Sequence, residues 1–253
     1  MLEWAQVKRH VAEEITLLCD QHHREKTSGL LPAEAVRRAN SDPFNFRVGA
    51  SKPYDLHYVG DACEVDIGGN RFKAAAANYG SSMAALVIDN VPMVGFVMGD
   101  GHLLLHLNLF DEANRLILRI ANNRLEYSVS PWDIRLVGRR LEIREGHGRF
   151  LIEIEFRVPN EIFISRGRFL YNGVEVVVNP GYALIVNNRT LLAGNSATGC
   201  ANGLVLGTAE EESEAMIRIP DISRYGAQAR EEAVQWANLS MDALDTEKRR
   251  GTQ

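Results

Sequence analysis

His102–Phe110, HLLLHLNLF, is the stretch that decides the fold class. Leu103, Leu105, Leu107 and Leu109 alternate with Leu104, His106, Asn108 and Phe110. A period of two is that of a β-strand, whose successive side chains point to opposite faces. The same period recurs downstream. Leu116, Leu118 and Ile120 alternate with Ile117, Arg119 and Ala121, and Leu125, Tyr127 and Val129 follow. Phe150, Ile152, Ile154, Phe156 and Val158 alternate with Leu151, Glu153, Glu155 and Arg157. The breaks carry turn chemistry: Asp111 to Asn114, Asn122-Asn123, Ser130-Pro131 and Gly146-His147-Gly148. Strands joined by such short turns pair as antiparallel neighbours.

Toward the N-terminus, Leu56–Val59 and Cys63–Ile67 read as short strands, and Gly68-Gly69-Asn70 reads as a turn. Leu86–Ile88 and Val94–Met98 bracket the turn signal Asp89-Asn90-Val91-Pro92. Lys73 to Met83, rich in Ala and Gly, matches no period. After Pro159 the strands shorten to Ile162–Ile164, Phe169–Tyr171, Val174–Val178, Leu184–Val186 and Leu204–Leu206. Turns at Asn187-Asn188, Gly194-Asn195 and Asn202-Gly203 separate the later ones. That rhythm suits an irregular β-solenoid or a β-sandwich, and the lack of a fixed repeat counts against a regular solenoid. Arg224 to Leu244 reads as an amphipathic helix with Ala229, Ala233, Trp236 and Leu239 on one side. The expectation is a mainly β protein with a short helical N-terminal segment and a C-terminal helix. Its parts are a helical segment 1–45, a β domain 54–208, and an acidic loop, helix and tail over 209–253. A strand as long as Arg149 to Val158 is expected to present an edge that needs cover, which favours self-association.

The 253 residues are enough for one large domain or two small ones. A formal charge of −5 argues against phosphate binding by the whole surface and leaves room for a local basic patch. Three cysteines without repeated spacing make no disulfide framework, so a reducing, cytoplasmic setting is expected. Met1 is followed by Glu3, Lys8 and Arg9 rather than an apolar run, and nothing approaches the roughly twenty apolar residues of a membrane helix. No G-x-S-x-G, phosphate loop or dinucleotide fingerprint is present.

Metal-competent side chains gather in Ile15–Leu31, ITLLCDQHHREKTSGLL. Trp4, Val7, Val11, Ile15 and Leu18 lead into it at helical spacing. Cys19 and His22 have the C-x-x-H spacing of half a zinc knuckle. His23 is the next residue, so it points elsewhere and is free for a different ion or a substrate. A solvated helix start with one buried Cys explains the same residues. Pro32 then opens a helix, PAEAVRRAN, with Glu34 near its positive end, and Asn40-Ser41-Asp42-Pro43 closes it. Arg24, Lys26, Arg37 and Arg38 are candidate nucleic-acid contacts, or a solvated charged face.

LLCDQHHREKT resembles the second half of the HNH, or His-Me finger, endonuclease motif. That family shows an apolar strand end, C-x-x-C, and a His directly after the second Cys, running into a basic helix. His22 stands where the second Cys usually stands. VKRHVAEEITLLC is similar to the preceding linker in one branch of the family. The resemblance covers residues 1 to about 45. It implies that Cys19 and His22 are structural zinc ligands and that His23 faces a catalytic divalent ion, Mg²⁺ or similar, with DNA as substrate. The full motif also needs an earlier C-x-x-C and an earlier water-activating His. This sequence has neither, and His10 is its only upstream His. The expectation is an HNH-endonuclease-like protein lacking the N-terminal half of the motif, weak or inactive as an isolated chain, with a β domain for binding or assembly. The alternative is a non-catalytic β protein that self-associates or binds a partner.

Overall fold

The computed structural model describes residues 16, 18, 20–43, 47–49, 54–76, 82–128, 133–208 and 214–224. The chain divides into two compact units, Met1–Lys52 and Pro53–Gln253.

In the first unit, α1 spans Asp20–Thr27 and α2 spans Ala33–Ser41. Gly29, at φ +80°, ends α1. Its N–H donates to the Lys26 carbonyl and the Leu30 N–H to that of Glu25. These two bonds satisfy carbonyls that the helix end leaves open, and they need a left-handed residue, here Gly. Pro32 precedes α2 in extended geometry and Glu34 lies in its first turn, as the sequence predicts.

The second unit is built on strands. In chain order they begin with β1 (Tyr54–Asp55), β2 (Ala62–Ile67), β3 (Asn70–Ala75), β4 (Ser82–Ile88), β5 (Val91–Gly99) and β6 (His102–Phe110). Then come β7 (Leu116–Ala121), β8 (Arg124–Tyr127), β9 (Asp133–Val137), β10 (Arg140–Gly146), β11 (Arg149–Arg157) and β12 (Glu161–Tyr171). The last are β13 (Val174–Asn179), β14 (Tyr182–Ile185), β15 (Thr190–Leu192), β16 (Ser196–Thr198), β17 (Asn202–Leu206) and β18 (Ala215–Ile219).

Two-residue turns set much of this pairing. Both central residues have positive φ at Asp89-Asn90, Asp100-Gly101, Asn122-Asn123 and Asn172-Gly173. Such turns match the twist of the strands they join and demand Asn, Asp or Gly. They fold β4 to β5, β5 to β6, β7 to β8 and β12 to β13 into antiparallel hairpins. One sheet runs β1-β8-β7-β6-β5-β4-β17-β18. The other runs β15-β14-β13-β12-β11-β10-β9, with β2 joined to β12 and then β3 and β16 beyond it. Among the described residues the unit is mainly β, with two sheets and no closed barrel.

Both sheets contribute to one apolar cluster. Leu103, Leu105, Leu107 and Leu109 are fully buried there with Ile152, Ile154, Ile162 and Ile164. Each such side chain contributes about 1.5–3 kcal/mol relative to exposure.

The structure corrects several expectations. Ile162–Ile164 and Phe169–Tyr171 are one strand, β12. Ser165-Arg166-Gly167-Arg168 looks like a break, but Gly167 at φ +150° carries the strand on. A Cβ there would sit 2.8 Å from Ile152 Cγ1. On one side β12 pairs with β11; on the other it pairs in parallel with β2 and then antiparallel with β13. Asn202-Gly203 is no turn: it starts β17, and its Gly serves close packing. Leu56–Val59 is not a strand beyond one bridge from Val59 to His102, although Leu56 and Tyr58 are buried. The strand from Arg149 is no edge, because β10 and β12 pair with β11 on both sides. β9, β10 and β18 are strands that the sequence pattern does not announce. The helix expected over Arg224–Leu244, the tail, Ser130-Pro131 and most of the acidic loop lie outside the described residues.

One end of the unit is held by a polar belt. Asp89 accepts from the Thr208 N–H at 2.9 Å and Arg224 Nη2 at 2.8 Å on one oxygen, and from Asn172 Nδ2 at 3.0 Å on the other. Asn114 and Asn172 bond reciprocally at 2.8 and 2.9 Å. Burial alone would raise the Asp89 pKa. Hydrogen bonds from Arg224, Asn172 and Thr208, with the Arg224 charge, outweigh it and hold the carboxyl below its ordinary 3.8. A carboxyl with a lowered folded pKa stabilises the fold above its unfolded pKa and loses that contribution as pH falls through the folded value. The melting temperature of the wild type should therefore fall more steeply below about pH 4 than that of Asp89→Asn. Parallel acid profiles for the two would refute this.

Candidate functional site

The first unit carries the residues singled out in the sequence. Cys19 lies outside the described residues. His22, exposed in the first turn of α1, lines a cavity of about 270 Å³ with Leu18, Leu31, Val36, Thr16 and Asn40, among others. His23 is exposed and its carbonyl accepts from Thr27 Oγ1 at 2.9 Å. Arg24 and Lys26 fall in the last turn of α1, where cations oppose the negative end of the helix dipole. Arg37 is paired to Glu34 at 3.2 Å, and Arg38 is exposed on α2.

A structural zinc ion needs four N or S ligands. Among the described residues that line the His22 cavity, the other polar side chains are Thr16 and Asn40, and none is a further thiol, imidazole or carboxylate. Among the described residues no group of three or more His, Cys, Asp and Glu is placed to hold a metal. The described residues therefore do not fit a closed zinc site or a carboxylate-bound Mg²⁺.

The second unit offers a different chemistry on the outer face of β10, β11 and β12. Register sets it: Arg144 lies opposite Phe150, and Glu153 opposite Arg166. The Arg144 guanidinium stacks 4.5 Å over the Phe150 ring centroid, with that of Arg166 at 5.5 Å. Arg157 stacks over Phe163 at 4.3 Å while pairing with Glu155 at 2.9 Å and Glu161 at 2.6 Å. Burial opposes the Arg157 charge, but these two carboxylates outweigh it and raise its pKa. Arg144 Nε is buried without a hydrogen-bond partner, although its Nη2 reaches Glu142 at 3.1 Å.

Beside Phe150 opens a cleft of about 330 Å³, lined by Arg149, Arg166, Arg168, Glu145 and Glu175 among others. Its cations are not equivalent. Arg168 is spent on Glu175 at 2.7 Å, Glu145 at 3.0 Å and Glu112 at 3.3 Å. Arg149 is exposed and reaches Glu145 only at 3.4 Å. Arg166 is exposed and makes no ion pair among the described residues. Two guanidinium groups at the rim and an aromatic ring on the floor can take an anion beside a planar group. Sequence reasoning misses this cluster. Its one signal is the alternation of Arg and Glu with Leu141, Ile143, Ile152 and Ile154.

A second hollow, about 400 Å³, lies on the outer face of the other sheet among Ser82, Gly95, His106, Asn108 and Asn202. Burial and the nearby Arg119 lower the His106 pKa, so its imidazole is neutral at pH 7. Burial pushes the Cys63 thiol up to about 12, which leaves it unreactive. No helix of the described residues is long and apolar enough to cross a membrane. The chain matches no family model, no curated protein and no solved structure.

Proposed function

We propose that the chain is an HNH-endonuclease-like protein that binds nucleic acid, weak or inactive in cleavage by itself, with the β unit as its binding module. One observation carries the binding reading: Phe150 lies beneath the guanidinium groups of Arg144 and Arg166, beside a cleft rimmed by Arg149. A base can replace Arg166 over the ring, which frees that guanidinium for phosphate. Stacking on an aromatic side chain contributes about 1–3 kcal/mol per base. The neighbouring glutamates and the net charge of −5 confine attraction to this patch. The nuclease part rests on the resemblance around His22 and His23, with α1 as the basic helix. A second reading, a self-associating β protein, is favoured by β9 and β18, which end their sheets among the described residues.

The test is anisotropy with a labelled single-stranded oligonucleotide. Two or three phosphate contacts predict a roughly tenfold loss of affinity between about 50 and 200 mM salt. Arg149→Ala/Arg166→Ala should lose about tenfold at low salt with an unchanged melting temperature. Equal binding by wild type and variant would dismiss the cleft. Plasmid incubated with Mg²⁺, Mn²⁺ or Ni²⁺ should stay intact. Strong nicking abolished by His23→Ala would overturn the weak-or-inactive assignment, and mass that grows with concentration would favour self-association.

A further inference from the structure

The cleft beside Phe150 holds acids as well as cations, and a fault in the ladder puts one of them there. Arg144 lies opposite Phe150 and Gly146 opposite Arg149, which leaves Glu145 as an extra residue in β10. A β-bulge of this kind re-aims the side chain it inserts. Glu145 thereby lines the same cleft as Arg149 and Arg166. Its carboxylate is held in place: Arg168 Nη1 donates to Glu145 Oε1 at 3.0 Å, and Arg168 is itself anchored on Glu175 at 2.7 Å. Arg149 Nη2 reaches the other oxygen at only 3.4 Å. A carboxylate has about four lone-pair sites, so Glu145, with its side chain 29% exposed, keeps acceptor capacity toward the cleft.

An acid at the rim of a phosphate-binding patch works against the field of that patch. It has a use if it reads a base. We propose that the cleft selects guanine, with Glu145 on the Watson–Crick edge, Arg149 on O6 and N7, and Phe150 against the ring. The inference rests on the nucleic-acid reading above and adds the identity of the base to it. Of the four bases, guanine alone presents two adjacent donors, N1–H and N2–H, beside two adjacent acceptors, O6 and N7. A carboxylate matches the first pair and a guanidinium fork the second. The two edges meet at O6, so the side chains that read them must be neighbours, and Glu145 and Arg149 are. The other bases each set a lone pair against Glu145: N1 of adenine, N3 of cytosine, and the O2 and O4 that flank N3–H in thymine. Such repulsion adds to selectivity. A cleft of about 330 Å³ is at the small end of ligand sites and suits one base with its sugar rather than a stack. Arg166, displaced from the Phe150 ring, is left for the phosphate.

The test uses the full chain and labelled single-stranded oligothymidylates that carry one guanine, adenine or cytosine. The guanine strand should bind about tenfold more tightly than the adenine strand. Replacing guanine by hypoxanthine removes the N2 donor, and by 7-deazaguanine the N7 acceptor. Each should lose about fivefold or more. In Glu145→Gln the ratio of guanine to adenine affinity should fall close to one. Arg149→Lys, which keeps the charge and loses the fork, should do the same, and it decides the matter if Glu145→Gln does not fold. Salt-sensitive binding that ignores the base would overturn this inference and leave the nucleic-acid reading standing. So would a guanine preference that survives in both variants. Failure of every strand to bind would sink the nucleic-acid reading itself, and the inference with it.

Discussion

Arg168→Met is expected to lower the melting temperature by roughly 6–20 °C, the equivalent of about 3–5 kcal/mol in a unit of this size. The side chain of Arg168 is 13% exposed and that of its partner Glu175 1% exposed, with Nε and Oε1 2.7 Å apart. Burial disfavours the Arg168 charge, but Glu175 and Glu145 more than offset this and raise its pKa. Met fills similar volume and removes only the charge. Glu175 then keeps a carboxylate in a place that water does not reach, without the guanidinium that justified it. Glu145 and Glu112 lose less, because water replaces a partner at partly exposed sites. The remedy separates charge from packing: Arg168→Met/Glu175→Leu should recover most of the loss, since a buried ion pair replaced whole by apolar groups costs little. A thermal melt of Arg168→Met within about 2 °C of wild type, or a double variant no better than the single, would contradict this account.

Gly203→Val is expected to cost about 3 kcal/mol or more, at the upper end for overpacking a core. Gly203 is buried in β17, with Phe72 of β3 and the backbone of β4 against it. A Cβ would overlap the Phe72 ring and sit 2.6 Å from the Ala85 carbonyl oxygen. The ring can turn if there is room; the carbonyl belongs to a strand flanked by β5 and β17 and cannot. Gly203→Ala should show a smaller loss, and Gly203→Ala/Phe72→Leu should recover part of it because the ring is half of the conflict. Denaturant melts of the three variants test the ranking. A Gly203→Val chain as stable as wild type would mean that β17 packs less closely against β3 and β4 than these distances require.

The β4–β8 meander was legible because each strand alternates and each turn is spelled in local residues such as Asp89-Asn90 and Asn122-Asn123. What failed was long-range. Gly203 and Gly167 look like turn residues, yet both exist for close approach, and the approaching groups, Phe72 and Ile152, are distant in sequence or across a ladder. β9 and β10 were hidden by their charge: Arg135, Arg140 and Arg144 read as surface, although Leu141 and Ile143 between them are buried. The cleft at Phe150 was invisible for the same reason. Arg144 meets Phe150 across one hairpin, and Arg166 joins them only through a register shift between β11 and β12. At the other end of the chain, C-x-x-H spacing proposes two ligands and is silent on the rest. The groove that His22 enters is lined mostly by aliphatic side chains of α2 and its neighbours, and helical periodicity could not foretell that.

The parallel pairs β2–β12, β3–β16 and β4–β17 also carry a kinetic consequence. Each joins an early strand to a late one; the Asn70–Asn195 hydrogen bond alone spans 125 residues. Before these ladders form, a long intervening chain must surrender its loop entropy. High contact order of this kind slows folding toward the millisecond-to-second range. On the ribosome the hairpins from β4 to β8 can close as they emerge. β2 and β3 must instead wait, unpaired along one edge, until residues beyond Glu161 have been made. That interval is when the nascent chain is most exposed to a neighbour's strand, and a chaperone acting on this protein would find its work there.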